Sequence, residues 1–374
     1  YLPLPEIQNL ADQLRRNSNM IKDISVTLPQ VAINQFLNSL LLSEIFYTND
    51  IEGVKTSRVE ISTVIQENNH PINGDDHISK KRLGSTIKMY QRTQLGKKVE
   101  INVLQDYRKI YDSLLKGELN EDRLPNGKIF RDKLPNSEVL SIGDGIKTVH
   151  RPPTTETAIK VALTALIEYM NNDDTPSIYK ALVTHFFFEN THPFLDGNGR
   201  MGRYLLSSYI ANKFDRFTGF SVATAIHNNV QQYYKVFKDA DSAENRADLT
   251  FFIQKLLMIL VSQQEKVIKI LSQSREKLDK ANEIISQWVN EHYHQLAATS
   301  DSLYCNVLYL LAQSKLFTNQ LDLGIKDNDI IETLKKSNRR YPMTKTKAAI
   351  EELEALGAIE IVSKRPKQHV ITIL

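Results

Sequence analysis

Cysteine is almost missing from this sequence: Cys305 is the only one among 374 residues. That excludes an intrachain disulfide and any cysteine-cluster metal site. It fits a reducing, intracellular setting, so a cytoplasmic location is expected. Long apolar runs are missing too. The longest clean one, about Leu256 to Val261, is far short of the roughly 20 residues that cross a bilayer, so no membrane partner is expected. Tyr1 to Gln13 is polar and lacks the charged-then-apolar order of a secretory signal. Neither sign of charge dominates: 47 Lys and Arg stand against 44 Asp and Glu. That balance implies no nucleic-acid or membrane partner for the whole molecule, although one domain can still be basic. Glycine (14) and proline (12) are sparse, as in a mostly helical protein. Hydrophobic residues at 41% and charged residues at 24% exclude a wholly disordered or fibrous chain. The length suggests two or three domains.

Helical spacing dominates the first 300 residues. Ala32 to Phe46 carries an apolar stripe at Phe36, Leu37, Leu40 and Leu41, which predicts a helix. Ser57, followed three residues later by Glu60, is a capping box that opens another. Thr155 to Met170 places Ile159, Ala162, Leu163 and Leu166 at the same spacing. Leu257 to Trp288 reads as one long amphipathic helix, packed on its own domain or used as an arm for self-association. A homodimer therefore stays open. Two stretches break the pattern. Arg131 to Pro153 holds β-prone residues around Gly143-Asp144-Gly145, and Asp144-Gly145 is a hairpin turn signal. Ala358 to Leu374 reads as strand, basic turn, strand.

The stretch that carries chemistry is His192-Pro193-Phe194-Leu195-Asp196-Gly197-Asn198-Gly199-Arg200-Met201-Gly202-Arg203. It lies between two apolar helical segments, Ile178 to Phe188 and Arg200 onward. Gly197-Asn198-Gly199 can turn several backbone N–H groups toward one anion. The following helix N-terminus favours negative charge by its orphan N–H groups and its dipole. Arg200 and Arg203 are three apart, share a helix face, and can grip two phosphates. Asp196 is a hard oxygen ligand suited to Mg2+. His192 is the side chain here that exchanges a proton near neutral pH. His185 reads as core support; His227, Trp288, His292 and His294 lack ligand spacing and read as structural or surface residues.

The whole run resembles the Fic family signature, HPFx(D/E)GNGRxxR, at every defined position. The resemblance implies a helical core that transfers AMP from ATP to a hydroxyl of a target protein. It places ATP on Gly197, Asn198, Gly199, Arg200, Met201, Gly202 and Arg203, the catalytic base at His192 and Mg2+ at Asp196. Thr48-Asn49-Asp50-Ile51-Glu52-Gly53 is similar to the family's inhibitory pattern, (S/T)xxxE(G/N). By that likeness Thr48 and Glu52 lie on one helix face, with Glu52 reaching Arg203 in the place of the ATP γ-phosphate. The Arg131 to Pro153 hairpin corresponds to the family's flap, whose strand edge would align a target segment. Tyr233-Tyr234, with Ser221 upstream, resembles the adenosine-side motif, so Tyr234 is expected to contact the base or ribose. Some relatives have Asn seven residues after the tyrosine pair; here it is Asp241, a departure on the adenine side. The resemblance covers roughly residues 30 to 260.

Toward the C-terminus, Leu303 to Ser314, Asn328 to Lys336 and Thr344 to Leu356 read as three helices. Thr344 is expected to cap the third and Gly357 to end it. With the terminal strand pair and its Lys364-Arg365-Pro366-Lys367 tip, the module resembles a winged helix. Lys345, Lys347, Arg339 and Arg340 would suit DNA phosphates there, and a protein partner stays open.

The expected architecture is therefore mainly α. A helical region (1–100) precedes a Fic core with a β-hairpin flap (101–260), a helical connector (261–300) and a small winged-helix domain (301–374). The expected activity is protein adenylylation of a Ser, Thr or Tyr hydroxyl with ATP and Mg2+, restrained by Glu52, with self-modification among its outcomes. The alternatives are removal of AMP with Glu52 orienting water, another nucleotidyl donor, and a DNA-binding regulator with a Fic sensor core.

Overall fold

A computed structural model describes residues 1–68, 78–133, 142–143, 148–296, 301–318, 324–337 and 341–374. They form two compact units. The first takes residues 1–21 and 40–267, the second residues 22–39 and 268–374. Among the described residues, helices dominate and strands are few.

The helices of the first half are α1 (Pro5–Val26), α2 (Gln30–Ile51), α3 (Arg58–Asn68), α4 (Gly84–Gln94) and α5 (Leu104–Leu114). Their starts follow local chemistry. The Glu60 N–H donates to Ser57 Oγ at 3.1 Å, as the capping box predicts. The Asp106 carboxylate reaches back to the N–H groups of Asn102 and Val103, each at 3.1 Å, and so opens α5. A short antiparallel pair follows, β1 (Ile142–Gly143) with β2 (Thr148–His150). It lies within the stretch where a hairpin is expected; Asp144 and Gly145 themselves fall outside the described residues.

Then come α6 (Glu156–Asn171), α7 (Ser177–Thr191), α8 (Asn198–Lys213), α9 (Arg216–Gly219), α10 (Val222–His227), α11 (Val230–Asp241) and α12 (Thr250–Glu291). Thr155 caps α6, its hydroxyl accepting from Ala158 N–H at 3.2 Å. α7 is apolar nearly all round and runs through the core of the first unit. Ile178, Leu182, Val183 and Phe186 pack with Leu206 and Ile210 of α8, Val222 and Ile226 of α10, and Phe252 to Leu260 of α12. A helix with no polar face can only be stable inside. That central position places the end of α7 on rigid backbone.

In the second unit, α13 (Asp301–Leu316), β3 (Ile325–Lys326), α14 (Asp327–Ser337), α15 (Met343–Ala355), β4 (Ile359–Lys364) and β5 (Lys367–Ile371) follow in order. The antiparallel sheet runs β3-β5-β4. The remainder of α12 buries Leu271, Leu278, Ala281 and Ile285 of the expected amphipathic stripe, and Val289 rather than Trp288 at its end. Gly357 ends α15 with φ 73°. Thr344 does not cap it: the N-cap is Pro342, and the helix begins at Met343. Proline fits there because a helix start needs no N–H from it. His369 is fully buried between Asp327 (2.6 Å) and Glu354 (3.3 Å), and Lys367 bonds the same Glu354 at 2.8 Å. These contacts tie β5 to the start of α14 and the end of α15. Lys345, Lys347, Lys364 and Arg365 are exposed, whereas Arg339 and Arg340 fall outside the described residues. Among the described residues, no helix is long and apolar enough to cross a membrane.

Candidate active site

α7 stops at Thr191, and His192 turns the chain away in a left-handed conformation with φ 47°. Its N–H still donates to Phe188 O at 3.0 Å. A non-glycine residue held there costs free energy, and such strain gathers at functional sites. The loop closes at Gly197 (φ 80°), the N-cap of α8, where a Cβ would also sit 2.2 Å from Leu115 Cδ1. In between, the Asn198 side chain clamps the turn. Its Oδ1 accepts from Phe194 N–H and its Nδ2 donates to Phe194 O, both at 2.9 Å. The buried Phe194 ring stacks on Tyr111 with centroids 3.7 Å apart, and Tyr111 Oη donates to Asp196 O at 3.1 Å.

A residue not singled out in the sequence fixes His192 in place. Arg131 is 1% exposed. It donates from Nε to His192 O at 2.7 Å and from its terminal nitrogen to Thr191 O at 3.3 Å, while its N–H meets Pro193 O at 3.0 Å. A cation here serves the orphan carbonyls and the negative end of α7. Burial pulls the Arg131 guanidinium down to about 10, still charged at neutral pH. The segment carrying it is pinned by Glu156, whose carboxylate accepts from Ile129 N–H (2.6 Å) and Phe130 N–H (3.1 Å). Burial would raise that carboxyl; the backbone N–H bonds and Lys160 outweigh it and hold it at about 2.

The two arginines of α8 part company. Arg200 donates to Glu118 at 2.9 Å, and both side chains are almost fully enclosed, at 7% and 3% exposure. The other Glu118 oxygen accepts from Thr86 Oγ1 at 2.5 Å. Arg203, 2% exposed, donates from Nε to Thr48 Oγ1 (2.8 Å) and from its terminal nitrogen to Thr48 O (3.1 Å) and Glu52 Oε1 (2.6 Å). Glu52 sits one residue past α2, just before Gly53. Its carboxylate lies so close to Gly199 that a Cβ there would stand 2.2 Å from Oε1. An anion thus occupies the N-terminus of α8, where the dipole favours one. Burial raises Glu52, but Arg203, Arg200 and His192 pull harder, and its carboxyl ends below the usual range. For Glu118, burial wins over Thr86 and Arg200, and its carboxyl ends above that range.

The other expected site residues are placed as follows. Asp196 stands half-exposed on the loop, one oxygen accepting from Gly197 N–H at 2.5 Å. Tyr234 is 51% exposed beside the buried Tyr233. Burial, then Glu52, raises the Tyr234 phenol. Three expectations need adjusting. Met201 is 0% exposed, so its side chain belongs to the core and only its backbone can face a ligand. Asn198 spends its side chain on the loop. Gly202 lies against the Glu189 carboxyl: a Cβ there would stand 2.0 Å from its Oε1. Asp241, the departure from the familiar Asn, accepts from Asn190 at 3.2 Å, two residues before His192. Ser221 Oγ donates to Phe217 O at 2.7 Å within the first unit. His185 does support the core: it is 3% exposed, 2.8 Å from Tyr233 Oη, and burial holds it down at about 3.

Two further acids escaped the sequence reading. Glu44 is fully buried and accepts from Ala223 N–H at 2.7 Å, and burial pushes it up to about 8. Glu189, on α7 near Arg203, is pushed up to about 8 by burial as well. Among the described residues, no group of three or more His, Cys, Asp or Glu is arranged to hold a metal ion. An Mg2+ held by Asp196 would therefore take its remaining oxygens from substrate phosphates and water, the usual mode for nucleotide enzymes.

Residues 101–210, which contain the whole loop, match the Fic/DOC family. The chain carries a Fic domain. Such domains generally transfer a nucleotide monophosphate onto proteins. The fold is similar to that of a Fic family protein from Desulfovibrio desulfuricans, with TM-score 0.56 and 17% identity, covering 100% of this chain and 97% of that one. A Fic-domain signaling protein from Bacteroides thetaiotaomicron also matches, with TM-score 0.47 and 13% identity over 70% of this chain and 98% of its own.

Proposed function

We propose that this chain is a protein adenylyltransferase that moves AMP from ATP to a Ser, Thr or Tyr hydroxyl and is held back by Glu52. The observation that carries the reading is the Glu52 carboxylate on Arg203 at the N-terminus of α8, a carboxylate where an ATP phosphate would sit. The α-, β- and γ-phosphates would lie along Gly197, Gly199 and Arg203, with Tyr234 on the adenosine side. His192 takes the hydroxyl proton of the target. The freed oxygen bonds the α-phosphorus as the bond from that phosphorus to the β-phosphate oxygen breaks, and pyrophosphate leaves with Arg203 balancing its charge. Bound at Asp196, Mg2+ would neutralise phosphate charge and orient the leaving group. Catalysis of this kind is positioning and preorganised charge, which matches a base fixed by Arg131 and a loop fixed by Asn198.

Incubation with ATP labelled at the α- or the γ-phosphate tests the reading. Protein label from the α position alone is expected. Label from γ alone would make the reaction kinase-like and overturn it.

For the second unit the proposed partner is the DNA phosphate backbone. The support is its order of three helices and a strand pair, with Lys345 and Lys347 exposed in the acid-free first half of α15 and Lys364 and Arg365 exposed at the β4–β5 turn. Affinity should fall with salt at a log–log slope of about −0.9 per phosphate contacted. Replacing Lys364, Arg365 and Lys367 with Ala should flatten that slope. No binding at low salt would point to a protein partner instead.

A further inference from the structure

Glu52 can hold Arg203 only while the last turn of α2 stays where it is, and Glu52 itself lies beyond that helix. What holds the turn is therefore a separate question from what Glu52 does. Two of its side chains meet α10. Asp50 Oδ2 lies 2.8 Å from His227 Nε2, and the Tyr47 ring packs on the His227 ring with centroids 4.3 Å apart. His227 is the last residue of α10, and Glu44 bonds Ala223 N–H at that helix's other end. Glu44 and Asp50 are six residues apart, about 9 Å along a helix, and their partners Ala223 and His227 are four apart, about 6 Å. The exit of α2 thus touches α10 near both of its ends, one contact buried and one at the surface. Arg58 lies over the Phe46 ring at 4.2 Å. Positive groups are favoured at a helix C-terminus, and Arg203 donates to Thr48 O there at 3.1 Å.

We propose that His227, acting through Asp50 and Tyr47, is the latch that positions the inhibitory turn, a positioning residue remote from the reacting atoms. The proposal rests on the inhibitory reading of Glu52. His227 is 32% exposed at its side chain and Asp50 55%, so the latch can be undone without opening the core. Freed of it, the turn around Glu52 spends more time off Arg203, and a larger fraction of molecules can accept ATP. An affinity limited by that fraction improves as the fraction grows.

The test uses the full chain. His227→Ala and Asp50→Asn should each raise transfer about two- to fivefold and lower the apparent KM for ATP, the size of effect expected from a partly exposed pair. The double change should do no more than either alone. His227→Gln, which keeps a donor, should fall between. In a Glu52→Gly background His227→Ala should change nothing, because there is no inhibitory carboxylate left to position. An equal effect in both backgrounds, or none in the wild-type background while Glu52→Gly does raise transfer, overturns the latch. A second readout separates this from failure of the inhibitory reading. The N–H groups of Gly53 and Val54 donate to Asp50 O and Asn49 O, at 3.0 and 2.9 Å, and their hydrogen exchange reports the turn directly. Faster exchange in His227→Ala supports the latch even if Glu52→Gly leaves transfer unchanged; unaltered exchange refutes it.

Discussion

Arg200 and Arg203 stand one helical turn apart, each beside a glutamate, yet the two pairs are built for different ends. Glu118 is held from both sides, by Thr86 and by Arg200, and is as enclosed as its partner. Glu52 stands on a helix end and keeps 31% of its side chain in solvent, while its arginine is buried. Separating a fully buried pair strands a charge, so the first pair is a fixture of the loop. The second can exchange one anion for another, because Arg203 stays charged and any newcomer with negative oxygens meets the same donors and the same helix terminus. Under the proposed function, inhibition by a carboxylate and binding of a phosphate would then be one property of Arg203.

The sharpest way to isolate that property is to remove the chemistry and keep the charge. His192→Ala should lower transfer by about 100- to 10,000-fold, the usual worth of a positioned general base. ATP affinity, measured by calorimetry, should stay close to that of the parent protein, since the anion donors lie in residues 197–203. Full transfer in the variant would mean that His192 is not the base. Glu118→Ala breaks the comparison at its fixed end. It leaves Arg200 buried without its carboxylate and should cost about 3–5 kcal/mol of folding stability. Urea unfolding measures it; a loss below about 1 kcal/mol would show the pair to be dispensable.

Glu52→Gly breaks it at the other end and should act in the opposite direction. Transfer, seen first as self-modification, should rise roughly 5- to 150-fold, the range of a typical coupling between two ligands for one site. Stability should change far less than in Glu118→Ala. Unchanged transfer in a folded, ATP-binding variant removes Glu52 as an inhibitor. Loss of AMP removal in the same variant would show that its carboxylate orients water.

Much of this site is legible in the sequence because its chemistry is contiguous. A histidine, a carboxylate, three glycines and two arginines within twelve positions leave few other meanings, and the flanking apolar runs announce the helices. Caps such as Ser57–Glu60 are legible for the same reason: partner and target lie three residues apart. What escapes is most of the contacts made across long sequence separations by a single charged residue; Glu52 on Arg203 is expected only through the family likeness. Arg131 serves carbonyls about 60 residues away, Glu44 an N–H 179 residues away, and His227 an aspartate 177 away. None of these leaves a local pattern. The buried side chain of Met201 escaped for a related reason. A motif fixes the order of residues, but on α8 the helical turn decides which of them face the core, and Met201 does.

The smallest expected effect is in the pH response, and it sharpens the contrast between the glutamates. The Glu118 carboxyl is raised above the ordinary 4.5, with burial the largest cause. In the native state it holds its proton to higher pH than in the unfolded chain. Its contribution is therefore fully present below 4.5 and is lost as pH rises through its native value, by at most about 1.4 kcal/mol per pH unit. Glu52 runs the other way. Its carboxyl is lowered despite burial, because Arg203 outweighs it. That contribution is present above 4.5 and is lost as pH falls through its lower native value. Unfolding by urea across pH 3–8 should therefore show Glu118→Gln losing less stability than the parent protein as pH rises from 4.5. Glu52→Gln should remove part of the loss on the acid side. If both variants shift the same limb, the two pairs are electrostatically alike and the division between fixed and exchangeable arginine fails.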